Sequence, residues 1–412
     1  MSWVRNIVVF EHGKHYFTEE EKKLKLNEAL ENYYGDYSPF FKLIRNGIEF
    51  NQYVGILKVG NTIIEVLPKA DRNDEDVWRR LLIDMIKTVW GFEVKVTGNA
   101  DLKLKGNSIL DLYFELYIKE LEFLLHRGLV KRYNRKEGNL YTMKGQLHFS
   151  KHISQNSVHK ERFYVKYTEY NVYHKVHCIL YKALKLINTI NSKPDFKSRL
   201  GALVLNFPEM DDIKITESVF DKIVYDRKNQ HYERALQIAK LLLLNYHPDV
   251  SKGRNNVLAL MFDMNRLWEQ FVFVVLRKGF IKSDVKVRSQ ISKEFWKSED
   301  GIKSRMKPDI VLESKNTTIV LDTKWKNLYG KGPSPEDLRQ MYAYHHYYKA
   351  SATALIYPGE EEKLITGKYA SIDYNKDSSQ PSCGVAYIST HHDIKIWKNK
   401  IILFIKEKLL DV

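Results

Sequence analysis

The sequence predicts a mixed α/β protein: an N-terminal α+β region followed by a domain with a central mixed sheet flanked by helices. Three observations carry this. Apolar runs of strand length alternate with amphipathic stretches of helical period along most of the 412 residues. The polar, glycine-bearing segment Ser251-Lys252-Gly253-Arg254-Asn255-Asn256 separates two different patterns. Beyond it, a long helix is followed by strands, a helix, more strands and a terminal helix, an order that suits one sheet with helices on both faces. The expected domains are therefore 1–255, with a further break near 100–130, and 256–412.

The elements follow in order. A strand is expected over 7–10. Thr18 opens a helix, because Glu21 three residues later completes a capping box. Leu24, Leu26, Ala29, Leu30 and Tyr33 supply its apolar positions, and Gly35 stops it. Strands follow over 48–50, 53–59 and 62–67. Gly60-Asn61 between the last two is a tight hairpin signal, and Pro68 closes the unit. A helix over 74–90 puts Trp78, Leu81, Leu82, Met85, Ile86 and Val89 on one face. Another spans 110–125 and ends at Gly128. Helices over 173–188 and 232–244 come next, the last broken by Tyr246-His247-Pro248-Asp249. After the boundary come a helix over 262–278, strands over 285–291, 308–312 and 317–322, a helix over 335–348, strands over 352–357 and 385–389, and a helix after Ile394.

Composition narrows the function. Lys plus Arg number 66 against 51 Asp plus Glu, a net charge of +15 that suits an anionic partner such as nucleic acid. The residues 127–166 are the most basic block, with ten Lys or Arg against two Glu, interleaved with Tyr133, Tyr141, Phe149, Phe163 and Tyr164. That mixture suits a phosphate-tracking surface, or else a solvated loop and hairpin region. Two cysteines, Cys178 and Cys383, exclude a disulfide framework or a Cys-rich zinc ribbon. Apolar runs such as Leu241 to Leu244 fall far short of the ~20 residues a membrane span needs, and Met1-Ser2-Trp3-Val4-Arg5 lacks a signal-peptide core, so a cytoplasmic protein with no membrane partner is expected.

The chemistry concentrates in Met306-Lys307-Pro308-Asp309-Ile310-Val311-Leu312 and Thr317-Thr318-Ile319-Val320-Leu321-Asp322-Thr323-Lys324. Asp309 precedes one apolar strand, and Asp322 ends the next. An antiparallel hairpin, turning at about 314–316, brings both carboxylates to one edge. Lys324 lies two residues beyond Asp322 and so points to the same face. Two hard carboxylates side by side make a divalent-cation site, usually for Mg²⁺, which relieves their repulsion. A neighbouring ammonium orients an attacking water, and phosphodiester hydrolysis needs these parts and no organic cofactor.

Pro308-Asp309 with Asp322-Thr323-Lys324 resembles the PD-(D/E)xK nuclease motif. The helix bearing Met264-Asn265-Arg266-Leu267-Trp268-Glu269 resembles the first core helix of those enzymes, whose Glu often joins the metal site; that maps onto Glu269. The stretch Gln340-Met341-Tyr342-Ala343-Tyr344 resembles their Gln-x-x-x-Tyr helix. The combination is closer still to the McrC family, through Asp263-Met264-Asn265-Arg266-Leu267-Trp268-Glu269, Asp322-Thr323-Lys324-Trp325-Lys326, Tyr53 to Gly60 and Ile64 to Lys69. Met143-Lys144-Gly145-Gln146-Leu147 with Glu169-Tyr170-Asn171 matches more loosely. The resemblance implies a restriction-endonuclease-like fold over 256–412, in the nuclease subunit of a modification-dependent restriction system that cuts double-stranded DNA. Asp309 and Asp322 would bind Mg²⁺ with the Thr323 carbonyl, Lys324 would position water, and Glu269 and Gln340 would be further members of the site. It implies as partner a McrB-like AAA+ GTPase hexamer that binds the GTP, docks on residues 1–255 and is stimulated by them. The absence of a Gly-x-x-x-x-Gly-Lys-Ser/Thr loop agrees, since this chain then binds no nucleotide itself. A non-cleaving adaptor of the motor and a stand-alone repair nuclease of the same fold remain open.

Other candidates have plainer readings. His174, His177 and Cys178 share a helix face but lack a fourth ligand, which favours a partly buried polar face over zinc. His345-His346 and His391-His392 read as structural or surface pairs. The tyrosines 342, 344, 347 and 348 read as packing, and Lys326 as a phosphate contact or a surface lysine.

Overall fold

The computed structural model describes residues 5–23, 26–34, 39–68, 75–89, 109–191, 193–247, 257–315, 317–326, 328, 332–370 and 381–410. Leu24, Gly35, Asp74, Trp90, Pro248-Asp249, the 251–256 segment, turn residue Asn316 and the first four residues lie outside them. The chain divides into two compact units, Arg5–Ile109 with Met261–Val412, and Leu110–Leu260. This differs from the expected division into 1–255 and 256–412. The unit changes fall near both expected break points, but residues before 110 join the C-terminal part.

The reason is apolar packing. Helix Glu75–Val89 buries Trp78, Leu81, Leu82, Met85 and Ile86 and packs on helix Met264–Gly279. The Trp78 ring meets Trp325 edge-on at 6.2 Å, and Trp325 Nε1 donates to Glu11 Oε1 at 2.7 Å. Indole rings buried together remove a large apolar area from water, and one polar handle fixes their orientation. In this unit, strands Arg5–Phe10 and Thr62–Leu67 pair in parallel, and Tyr53–Val59 pairs antiparallel with the latter through a hairpin whose Gly60 has φ +55°. Strands Lys14–Tyr16, Gly47–Phe50 and Phe41–Ile44 form a second, antiparallel sheet. The capping box forms as expected: Glu21 Oε2 accepts from Thr18 N–H at 2.9 Å, and Glu21 N–H donates to Thr18 Oγ1 at 3.4 Å.

The larger sheet of the same unit has the order Lys286–Ser289, Ile310–Glu313, Thr318–Thr323, Ala352–Gly359, Ser382–Ser389, Lys363–Lys368. The first three strands are antiparallel, the next two join in parallel, and the last is an antiparallel edge. The mixed sheet is as the sequence predicts. Its inner strands read as continuous apolar runs because both of their faces are covered. Helix Pro335–Tyr348 lays Met341, Tyr344 and Tyr348 over Val311, Val320, Leu355 and Val385. Helices Met264–Gly279 and Ile394–Ile405 meet through Trp268, Phe271 and Trp397, with Trp397 5.5 Å from the Trp268 ring and 5.2 Å from the Phe271 ring.

Leu110–Leu260 is built from helices Ile109–Arg127, Lys175–Ile190, Pro194–Asn206 and Glu233–Leu244. Arg199 joins two of them by pairing with Glu115 at 2.7 Å and Glu122 at 2.8 Å, and Tyr117 OH donates to the Leu180 carbonyl at 2.7 Å. The basic block holds an exposed antiparallel strand pair and is not loop alone. It folds as two nine-residue strands, Arg132–Leu140 and Phe163–Asn171, with the short strand Gln146–Leu147 and the helix Phe149–Asn156 between them. Gly145 has φ +79°, and a Cβ there would lie 2.3 Å from the Lys166 carbonyl oxygen, so only glycine fits. Elements the sequence did not announce include Pro194–Asn206, the hairpin Lys293–Lys297 with Lys303–Met306, and edge strand Lys363–Lys368. The hairpin is exposed almost throughout, so no burial pattern marks it.

Candidate active site

Strands Ile310–Glu313 and Thr318–Thr323 place Ile310 opposite Leu321. One step further along this register, Asp309 faces Asp322. Buried Pro308 sets the entry to the first strand, and Lys324 N–H donates to the Ile356 carbonyl at 2.9 Å, holding the exit of the second. Asp322 is only 2% exposed. Both donors of Thr323, its N–H at 2.7 Å and its hydroxyl at 2.8 Å, bind Asp309 Oδ2. Lys324 Nζ lies 2.7 Å from Asp322 Oδ2 and 3.6 Å from Asp337 Oδ1. The expectation that Asp309, Asp322 and Lys324 share one edge thus holds in the geometry.

Asp337 is a site residue the sequence reading missed. It sits in the first turn of helix Pro335–Tyr348, where Ser334 Oγ accepts its N–H at 3.1 Å, and it pairs with Lys326 Nζ at 2.8 Å. The Ser334-Pro335-Glu336-Asp337 start was the available signal, since such a cap buries its third residue's backbone beside the helix end. Lys326 is therefore tied to a carboxylate. Gln290 was also missed. Its N–H donates to the Asp309 carbonyl at 3.0 Å, and its Nε2 donates to Glu269 Oε1. It does so from a left-handed backbone, φ +52°, after a short strand, and no sequence pattern marks that.

Glu269 is held beside Asp309 through Gln290 and does not bond to Asp309 itself. Gln340 stands further back: its Nε2 donates to Tyr344 OH at 2.8 Å, and it makes no bond to the carboxylates or to Lys324 among the described residues. Thr323 enters the site through its N–H and hydroxyl, which fix Asp309.

The electrostatics show a shortage of positive charge. Burial, and then the charge of Asp309, push the Asp322 carboxyl up to about 6 despite Lys324. Burial also lifts Asp309, although the Thr323 donors and Lys324 pull it down. Glu269 is raised by burial and by Asp309. Burial disfavours the Lys324 charge, but Asp322 and Asp337 outweigh it and raise its pKa. Tyr344 is pushed up to about 12 by burial, with the Asp322 and Asp309 charges adding to it.

These residues fit a divalent cation. Asp309 Oδ1 has no partner among the described residues, and buried Asp322 Oδ2 meets Lys324 Nζ. No three His, Cys, Asp or Glu side chains form a closed cage among those residues. Two carboxylates, with waters completing the shell, are how Mg²⁺ is commonly held. The histidine cluster is structural. Buried His177 uses Nδ1 on the Val172 carbonyl at 2.6 Å and Nε2 on Tyr232 OH at 3.0 Å, and burial drops its pKa to about 4.

The mixed sheet and its edge define an α/β protein with a buried carboxylate–lysine cluster at one sheet edge. Residues 48–358 match the family described as McrBC 5-methylcytosine restriction system component, and the chain belongs to that family. No curated protein matches it. Among solved structures it is similar to a chain of the refined half-complex from the tetradecameric assembly of Thermococcus gammatolerans McrB AAA+ hexamers with bound McrC. That likeness has 19% identity and a TM-score of 0.68, and it covers 97% of this chain and 99% of that one. It is also similar to a chain of the cryo-EM structure of the Thermococcus gammatolerans McrBC complex, at 20% identity and a TM-score of 0.50, over 67% of this chain and 88% of that one. Both likenesses are of fold. No helix among the described residues is long and apolar enough to cross a membrane.

Proposed function

We propose that this chain is the Mg²⁺-dependent nuclease subunit of a McrBC-type restriction system, hydrolysing phosphodiesters of double-stranded DNA. The observation that carries the reading is the Asp309, Asp322 and Lys324 cluster, with Lys324 Nζ 2.7 Å from Asp322, in a chain of the McrBC family. The fold match to an assembly of McrB AAA+ hexamers with bound McrC supports an McrC-like chain working with an McrB-like AAA+ partner; in this reading the partner binds the GTP and this chain stimulates it.

The chain's own residues divide the work. Asp309 and Asp322 would hold Mg²⁺, with the Thr323 carbonyl as a further ligand. The ion, when bound, polarises the phosphodiester and lowers the pKa of a bound water. Thr323 fixes Asp309 through Oδ2 and leaves Oδ1 for the ion. Lys324, kept charged by Asp322 and Asp337, orients the attacking water and offsets the charge that develops on phosphorus-bound oxygens. Glu269, held by Gln290, lies at the margin of the site. Gln340 supports Tyr344.

The test is plasmid cleavage with Mg²⁺, with and without the AAA+ partner and GTP, on methylated and unmethylated DNA, with Asp322→Ala as control. Cleavage that requires partner and GTP and vanishes in the variant is expected. Cleavage of equal rate without the partner would point to a stand-alone nuclease. GTPase stimulation without cleavage of either DNA would point to an adaptor.

A further inference from the structure

We propose that the sheet of strands Arg132–Leu140 and Phe163–Asn171 is a binding face for single-stranded nucleic acid, lying in the compact unit that does not hold the carboxylate site. The proposal goes beyond the nuclease reading and does not depend on it.

The two faces of this sheet differ. Strand register pairs Tyr133 with Tyr170, Arg135 with Thr168 and Glu137 with Lys166, and alternation puts all six on one face. All six are exposed. The opposite face satisfies itself: Lys136 pairs with Glu169 at 2.8 Å, Asn134 donates to Asn171 at 2.7 Å, and Lys144 lies over the Tyr167 ring. On the open face, Tyr133 is 76% and Tyr170 57% exposed, with ring centroids 4.7 Å apart. The face's one carboxylate, Glu137, is neutralised by Lys151 from helix Phe149–Asn156 at 2.5 Å. Arg135 and Lys166 have no ion pair among the described residues. The face is therefore net positive, inside the block with ten Lys or Arg against two Glu.

Charge and shape together select the occupant. Arg135 and Lys166 attract phosphates, and the exposed rings of Tyr133 and Tyr170 offer stacking surface to bases. Bases inside a duplex are already stacked on their neighbours, so they cannot use it. A single strand supplies both groups along one backbone. A protein partner would leave the cations without regularly spaced anions to meet.

The experiment is fluorescence anisotropy of a fluorescein-labelled 20-residue oligo-dT with the full chain in EDTA, over a range of salt. EDTA keeps hydrolysis out of the readout, so a chain that never cuts DNA still answers the question. Tyr133→Ala/Tyr170→Ala should weaken binding by at least about tenfold. Arg135→Ala/Lys166→Ala should lower the slope of log affinity against log salt by roughly 1.4. A duplex of equal length should lose little affinity in the tyrosine variant. Circular dichroism melting checks that each variant folds. Folded variants that bind oligo-dT like the parent chain would overturn the proposal. If they also lose stimulation of the AAA+ partner, the face belongs to a protein interface instead.

Discussion

Asp322→Asn should stabilise the metal-free protein while abolishing cleavage. The side chain is 2% exposed, so solvent screens it little. Its folded pKa is about 6 against an ordinary 3.8, raised by burial and by Asp309. A pH unit of such a difference is worth about 1.4 kcal/mol, so the ionised carboxylate costs the metal-free fold about 3 kcal/mol. The sign follows from proton binding. Between the two pKa values the folded chain holds a proton that the unfolded chain has released. Stability from this group is therefore full below about pH 4, declines as pH rises through about 6, and is gone above it. Asparagine mimics the protonated acid at every pH, and Lys324 keeps Asp337 as a partner 3.6 Å away. The gap between variant and parent should be near zero at pH 4 and reach about 3 kcal/mol at pH 8. In a unit of this size that is about 6 °C in melting temperature. The assay is calorimetry in EDTA at both pH values, repeated with Mg²⁺, which should raise the melting temperature of the parent only. A variant that melts at or below the parent at pH 8, or a gap that shrinks as pH rises, would refute the reasoning.

Further outcomes are expected. Thr323→Val removes the 2.8 Å hydroxyl bond to Asp309 but keeps the 2.7 Å N–H bond, and a bond to a charged group is worth about 1.5–3 kcal/mol. Single-turnover cleavage should fall about tenfold or more, with circular dichroism unchanged. Asp337→Asn releases Lys326 and one restraint on Lys324; cleavage should fall roughly fivefold, as for loss of about 1 kcal/mol of ion pairing, with DNA affinity little changed. Gly145→Ala forces a side chain into φ +79° against the Lys166 carbonyl and should destabilise its unit by about 2 kcal/mol or more, visible as earlier proteolysis of that unit with the carboxylate site intact.

Much of the fold was legible because local signals and burial agree. The capping box at Thr18 and Glu21, the Gly60 hairpin and the Ser334-Pro335 helix start all appear where the sequence places them. Helix Pro335–Tyr348 matches its expected span, and strands 53–59 and 62–67 do likewise. Elements without a buried face were not legible. The exposed hairpin Lys293–Met306 and edge strand Lys363–Lys368 show no alternation to read. Of the site, Asp309, Asp322 and Lys324 could be found because strand alternation and one antiparallel turn suffice to bring them together. Gln290 and the placement of Asp337 beside Lys324 could not, because each reaches the site from another element; only the helix start that carries Asp337 was readable.

By itself the sequence determined what lies within one hairpin: two carboxylates at facing strand ends, a lysine two residues on, and the apolar strands that bury them. Those relations depend on local geometry, which spacing encodes. Only the tertiary structure decided which distant groups surround them. It set Gln290 between Asp309 and Glu269 and put Asp337 beside Lys324. It also joined residues 5–109 to the C-terminal part, through contacts such as Glu11 with Trp325, 314 positions apart. The physical reason is that the energy of such contacts comes from burial, which is blind to separation along the chain and so leaves no periodic trace in it.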